Sequence, residues 1–299
     1  MTVEMRRLKV AKLTTSDYLF LWLTNTLLRW LALSLYLTKK ANLISKSPNP
    51  VAIVTGGSRG VGKATALLLA SKGWNITITC TNSLKDAELV VKQCKALGVE
   101  ARSVIADVSD NQACIETVEQ CYLEWGRIDC LINNAGTTKF AFNHGDLDAL
   151  DAEDFLHIYK VNVVGPFQMV KACRHYLVKS NNPCVINVSS IAGIKGTGSS
   201  IAYASSKGAL NTMTKSMARN LGPIRVNAVC PGFIQGDWLR NGLGSETYDR
   251  ALANIENITP LGLAVTADQV ADCIYNLISL STVVTGETIL LDGGYHLTV

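Results

Sequence analysis

Tyr203 and Lys207 stand four residues apart in the run YASSK, and Ser190 precedes Tyr203 by thirteen residues. Residues four apart on a helix share a face, so the Lys207 ammonium can sit beside the Tyr203 phenol. A phenol titrates near 10, and each unit of depression corresponds to about 1.4 kcal/mol, so bringing it to neutrality needs roughly 4 kcal/mol. A partly desolvated cation plus a bound cofactor could supply that, leaving a tyrosine able to exchange a proton with a reacting oxygen. Pairs of this spacing are common on helix surfaces, so this one gains meaning only from its company. Part of that company is Asn162, four residues before Pro166. Proline has no N–H, so in a helix the Asn162 carbonyl loses its partner and must find water or another donor.

A second group of residues suits a phosphate. The stretch 51–62 reads VAIVTGGSRGVG, a short apolar β-branched run followed by closely spaced glycines. The run has the form of a parallel strand covered on both faces. Gly56, Gly60 and Gly62 allow a sharp turn and a close backbone approach, and the helix that follows offers unpaired N–H groups to an anion. The spacing is T-G-x-x-x-G-x-G, and on its own it is modest evidence, because such turns also occur with nothing bound.

These residues have to be positioned by larger elements. Strand-like segments at 51–54, 75–81, 102–106, 128–132 and 184–188 alternate with helix-like ones at 61–72, 84–97, 111–125 and 152–179, and another helix starts near Tyr203. Gly73 supplies a helix C-cap. This alternation predicts βαβ units and an α/β, doubly wound parallel sheet. Right-handed crossovers bring all the strand ends to one edge of the sheet, and the ligand belongs there.

Composition narrows the function. Of the 299 residues, 48% are apolar and 17% charged, as in a globular protein. The net charge of +4 is too small and dispersed to point to nucleic acid. The nine cysteines form no C-x-x-C pair or Cys/His cluster, which argues against a metal site and a disulfide framework and favours a reducing compartment. Residues 1–48 differ from the rest: basic residues flank the run 18–37, YLFLWLTNTLLRWLALSLYL, about one bilayer's worth of helix with Arg29 inside it. The expected division is an N-terminal extension, 1–48, carrying this hydrophobic helix, and a catalytic domain, 49–299. The segment 45–50, SKSPNP, has linker composition.

TGGSRGVG, Asp107, NNAG at 133–136, Asn162, Ser190, Tyr203-x-x-x-Lys207 and Pro231-Gly232 occur in the order and spacing of the short-chain dehydrogenase/reductases. From about residue 50 to 299 the chain resembles that family, most of all its 3-oxoacyl-(acyl carrier protein) reductases. The resemblance implies a Rossmann fold and a catalytic tetrad. In it Tyr203 is the general acid/base, Ser190 polarises the carbonyl, Lys207 lowers the Tyr203 pKa and holds the nicotinamide ribose, and Asn162 binds a relay water. It further implies cofactor contacts from Thr55, Gly56, Ser58, Arg59, Gly60, Val61 and Gly62 in the turn, from Asp107 and Val108 at the adenine, from Asn134, Ala135 and Gly136 along the cofactor, and from Pro231, Gly232 and Ile234 near the nicotinamide. The family often reads P-G-x-x-x-T, whereas this chain has Gly236 at the last position. The Gly- and Asn-rich stretch 236–259, with Trp238, Leu239 and Leu243, falls where the family carries a mobile substrate lid.

The expected activity is hydride transfer between a nicotinamide and a carbonyl or secondary alcohol, with no metal. NADPH is expected over NADH, because the second strand is followed by Thr81 and Asn82, with no acid before Asp86 to bind ribose hydroxyls. Ser58, Arg59 and the Thr81/Asn82 turn would then take the 2′-phosphate. A homotetramer or homodimer is expected from the resemblance, through the long helices around Asn162 and Tyr203 and the segment 285–295. The setting expected is cytoplasmic, with attachment of 18–37 to the cytosolic face of a membrane. Two rival readings are a membrane-tethered enzyme for lipid or steroid-like substrates and a non-catalytic cofactor-binding scaffold; the complete tetrad opposes the scaffold.

Overall fold

A computed structural model describes residues 46–298. The hydrophobic run 18–37 lies outside them, and among the described residues no helix is long and apolar enough to cross a membrane. Seven strands pair in parallel in the order β3-β2-β1-β4-β5-β6-β7. They are β1 (Val51–Val54), β2 (Asn75–Cys80), β3 (Ala101–Ile105), β4 (Cys130–Asn133), β5 (Cys184–Val188), β6 (Arg225–Pro231) and β7 (Thr288–Leu291). The order reverses between β1 and β4, and an open α/β sheet binds its ligands in the crevice beyond the strand ends at such a switch point.

Helices cover both faces, as an all-parallel sheet demands. On one side lie α1 (Gly60–Ser71), α2 (Leu84–Ala96) and α10 (Ala267–Ser279). The other side carries α3 (Asn111–Trp125), α5 (Gly165–Leu177) and part of α7 (Ile201–Asn220). Strand β1 shows why its residues must be apolar throughout: Ala52 and Val54 face the first core while Val51 and Ile53 face the second. The remaining helices, α4 (Ala152–Tyr159), α6 (Ala192–Lys195), α8 (Asp237–Leu243) and α9 (Ser245–Ile258), lie between or beyond these layers.

Two local features differ from the sequence reading. The long helix 152–179 divides into α4, one π turn at Lys160–Val164, and α5 ending at Leu177. In that turn the Gly165 N–H reaches back five residues to the Lys160 carbonyl, so the chain passes Pro166 by widening one turn. The segment with linker composition is held against the domain. The Ser47 N–H donates to the Trp125 carbonyl (2.8 Å), and Ser47 in turn accepts from Asn75 Nδ2 (3.1 Å) and Arg127 (3.1 Å).

Candidate active site

The site forms where β1, β4, β5 and β6 end. Strand β5 delivers Ser189 and Ser190, and helix α7 begins beside them with Ser200 as its N-cap, the Ser200 Oγ accepting from the Tyr203 N–H at 3.2 Å. That cap fixes the first turn of α7 and therefore the stem of Tyr203. Ser190 stands beside the Tyr203 phenol, its own Oγ accepting from the Ala192 N–H at 3.1 Å, and Tyr203 keeps part of its surface exposed. Lys207 is buried; its ammonium donates to the Val188 carbonyl at 2.8 Å and lies 5.6 Å from the centre of the Tyr203 ring.

Asn162 enters through the π turn. Its Oδ1 accepts from the Thr137 N–H (2.8 Å), and its Nδ2 donates to the Thr137 carbonyl (2.9 Å) and the Ser206 hydroxyl (3.0 Å). The side chain joins the segment after β4 to α7, with both Nδ2 hydrogens engaged and one bond accepted by Oδ1. Ser190, Tyr203, Lys207 and Asn162 are therefore brought together.

The electrostatics differ from the expected pairing. Burial pushes the Tyr203 phenol up to about 12, offset in part by the neighbouring Ser190 hydroxyl. Burial pushes Lys207 down to about 8. Lys207 is not among the groups that lower the phenol; its ammonium donates to the Val188 carbonyl and lies 5.6 Å from the ring centre. The protein alone holds Tyr203 in its protonated form.

The turn between β1 and α1 is shaped by its glycines. Gly60 has φ +52°, and a Cβ there would meet nothing within 4 Å, so open space lies over the N-terminus of α1. A Cβ at Gly62 would stand 2.3 Å from the Gly56 carbonyl oxygen, so no larger residue fits that contact. Arg59 is exposed as the N-cap of α1, Ser58 and Val61 are buried, and Thr81 and Asn82 stand exposed beyond β2. Thr55 braces the turn from below: its Oγ1 accepts from the N–H groups of Asn134 and Ala135, both at 3.0 Å.

Some residues expected to line the cofactor are engaged in holding the walls. Asn134 Nδ2 donates to the carbonyls of Thr55 and Gly56, both at 2.9 Å, so its side chain supports the turn. Asp107 is exposed and accepts from the Ser109 N–H at 2.8 Å, while buried Val108 packs on Gly165. Gly136 is exposed, and a Cβ there would lie 3.7 Å from Lys207 Nζ. Pro231 accepts from the Ile191 N–H (3.0 Å), Gly232 donates to the Leu291 carbonyl (2.8 Å), and Ile234 bridges to Val265. The Gly236 N–H donates to the Tyr248 hydroxyl at 3.0 Å, which anchors the start of α8. Phe140 and Phe142 also stand near Tyr203, through Trp238, and nothing in their local spacing announced it.

Similarity to known proteins agrees with this geometry. Residues 56–296 match a family model described as enoyl-(acyl carrier protein) reductase. A protein of Streptomyces violaceoruber described as ketoacyl reductase 2 of the granaticin polyketide synthase is 39% identical over 249 residues, spanning 83% of this chain and 96% of its own. The 3-oxoacyl-(acyl carrier protein) reductase of Thermotoga maritima is 36% identical over 247 residues, 82% of this chain and 96% of its own. A crystal structure from Burkholderia xenovorans, described as a short-chain dehydrogenase/reductase, superposes with a TM-score of 0.78 at 36% identity and covers 84% of this chain and all of that one. The parallel sheet, the glycine turn at its switch point and these relatives together place the chain in the short-chain dehydrogenase/reductase family of nicotinamide-dependent oxidoreductases.

Proposed function

We propose that this protein is a ketone reductase of the 3-oxoacyl-thioester type that prefers NADPH, with residues 49–299 as its catalytic domain. The observation that carries the reading is the convergence of Ser190, Tyr203, Lys207 and Asn162 at the strand ends, next to the glycine turn. The turn fits a dinucleotide: open space over Gly60 meets the free N–H groups of α1, and exposed Arg59 gives the 2′-phosphate a cation. The first acid beyond β2, Asp86, is set back in the first turn of α2. When bound, the nicotinamide supplies or accepts the hydride.

The protein's own part is proton transfer and orientation. As negative charge develops on the carbonyl oxygen, Ser190 donates a hydrogen bond to it and the Tyr203 phenol gives it a proton. Lys207 holds the ribose and is the cation nearest the phenol once it turns from the Val188 carbonyl. The Asn162 carbonyl holds a water through which Tyr203 regains its proton.

The deciding experiment replaces the hydroxyl alone. Tyr203→Phe should leave the Kd for NADPH nearly unchanged and lower kcat by about 10²–10⁴, the usual worth of a general acid/base. Retention of more than about a tenth of wild-type turnover would contradict that role. The same assay, run with both cofactors on a 3-oxoacyl and a 2-enoyl thioester, should show higher kcat/KM with NADPH and turnover of the 3-oxo compound only. A hydroxyl pair, Ser190 and Tyr203, suits an oxygen on the carbon that takes the hydride, which is why we read a ketone rather than the double bond in the family model's description.

Residues 18–37 are read as attaching the enzyme to the cytosolic face of a membrane. Full-length protein should then sediment with membranes, and protein lacking residues 1–45 should not. Full-length protein that stays in the supernatant without detergent excludes the attachment.

A further inference from the structure

Three aromatic side chains run outward from Tyr203 in successive ring contacts and have no part in moving the proton. Trp238 on α8 has its ring 6.4 Å from that of Tyr203, Phe140 lies 5.5 Å from Trp238, and Phe142 lies 5.4 Å from Phe140. The two phenylalanines come from the segment after β4 and the tryptophan from the other rim, so the three make one wall from two parts of the chain. Phe140 is seated on α8, since a Cβ at Gly242 would fall 2.1 Å from its ring. Its own segment is fixed by the Ala141 N–H donating to the Ser199 carbonyl at 2.7 Å.

This wall is preassembled and yet open. Trp238 is 45% exposed and Phe142 47% exposed, an unusual arrangement for large apolar rings unless a ligand covers them. The nearby charges are already answered. Lys139 pairs with Asp154 at 2.6 Å, and Arg240 pairs with Asp249 at 3.0 Å while stacking 4.2 Å from the centre of the Tyr248 ring. Neither cation is left for an anionic substrate, and the surface offered is aromatic. Aromatic faces attract flat apolar groups in offset or tilted stacks.

We propose that the substrate carries a flat apolar ring next to its carbonyl, laid against Trp238, with Phe140 and Phe142 continuing the wall outward, while the carbonyl oxygen meets Ser190 and Tyr203. The inference rests on the ketone-reductase reading and adds to it the class of group that the site selects. It makes Trp238, Phe140 and Phe142 specificity-determining residues.

The test uses the full-length enzyme with NADPH, 1-tetralone as a bicyclic aromatic ketone, and acetoacetyl-N-acetylcysteamine as a small aliphatic 3-oxothioester. The wild type should favour 1-tetralone in kcat/KM by about tenfold or more, the scale on which apolar pockets discriminate. Trp238→Ala should lose about tenfold more on 1-tetralone than on the thioester, mainly in KM, and Trp238→Phe should recover most of that difference. Quenching of tryptophan fluorescence by 1-tetralone should weaken in Trp238→Phe and Phe142→Ala. Equal losses on both substrates would mean that Trp238 only supports α8, and would overturn the inference. A wild type that reduces the thioester without favouring 1-tetralone also overturns it, and leaves the ketone-reductase reading standing. If Tyr203→Phe keeps turnover on both substrates, the reading of the site falls and this inference falls with it.

Discussion

At the scale of single residues, Lys207 has the environment with the clearest consequence. Its pKa is lowered from 10.5 to about 8 by burial, so the folded protein carries this charge only below about pH 8. The unfolded chain keeps the proton up to its ordinary value, so between about pH 8 and 10.5 the unfolded state binds more protons and this group's destabilising effect fades as pH rises. For cofactor binding the proposed role gives the opposite sign, because there the cation would hold the ribose. The Kd for NADPH should rise as pH passes about 8, approaching tenfold per pH unit, and Lys207→Met should start weaker and lose that slope. Titration calorimetry from pH 6.5 to 9.5 would measure both, and an identical slope in the variant would refute it. Tyr203, pushed up to about 12, stays a proton donor across that range, which suits the direction of reduction. The residue types and their order were legible in the chain, but this electrostatic state was not. It follows from the burial of Lys207 and Tyr203, which leaves no mark on spacing.

At the scale of elements, the tetrad depends on how closely α6 approaches α7. A Cβ at Gly193 would lie 2.5 Å from the Gly208 nitrogen and 2.5 Å from the Lys207 carbonyl carbon, both backbone atoms that cannot rotate aside. Gly193→Ala should push α7 away from Ser190, cost about 1–3 kcal/mol of stability as overpacking does, and lower kcat by roughly 10²-fold through misplacement of Tyr203. Gly208→Ala is the control: its Cβ would meet only the Gly193 carbonyl, at 3.4 Å, so kcat and melting temperature should change little. Equal behaviour of the two variants would rule out this contact as the constraint. The contact joins two elements whose order the sequence allowed but whose distance it did not state. Where a segment's ends carry their own chemistry, its bounds were legible: α3 runs from its Asp110 cap to Gly126, at φ +66°, and β5 is a buried apolar run. Proline at 166 announced a break in the helix, yet the break took the form of a π turn because Asn162 also has to reach Thr137 and Ser206. The Gly- and Asn-rich composition after Gly236 hid two helices, α8 and α9. Phe140 and Trp238 meet across nearly a hundred residues, and no local pattern encodes such a pair.

For the molecule as a whole, we propose a homotetramer built through the large apolar side chains left on the surface. Leu156 on α4, Val164 on the π turn and Phe167 on α5 are exposed on the helices that carry Asn162, and Leu280, Val283 and Leu297 are exposed in the C-terminal part. We take these as two sets of exposed apolar side chains, one on the helices flanking Asn162 and one near the C-terminal end, and propose each as a contact surface. Two self-complementary patches on one subunit generate two two-fold axes, and hence a closed tetramer. Light scattering at micromolar concentration should therefore give a homotetramer for protein beginning at residue 46, which also removes any contribution from 18–37. Phe167→Glu buries a charge in one of the two contacts, so it should leave dimers joined through the C-terminal patch, while Val283→Glu should leave dimers joined through the helices. The two variants should also differ in chemistry. The helices exposing Leu156 and Phe167 hold Asn162 on their inner side, where it clamps Thr137 and Ser206. Loss of that contact loosens the clamp, so Phe167→Glu should lower kcat as well as mass, and Val283→Glu should lower mass with less effect on kcat. A wild-type protein that remains monomeric at those concentrations excludes the assembly.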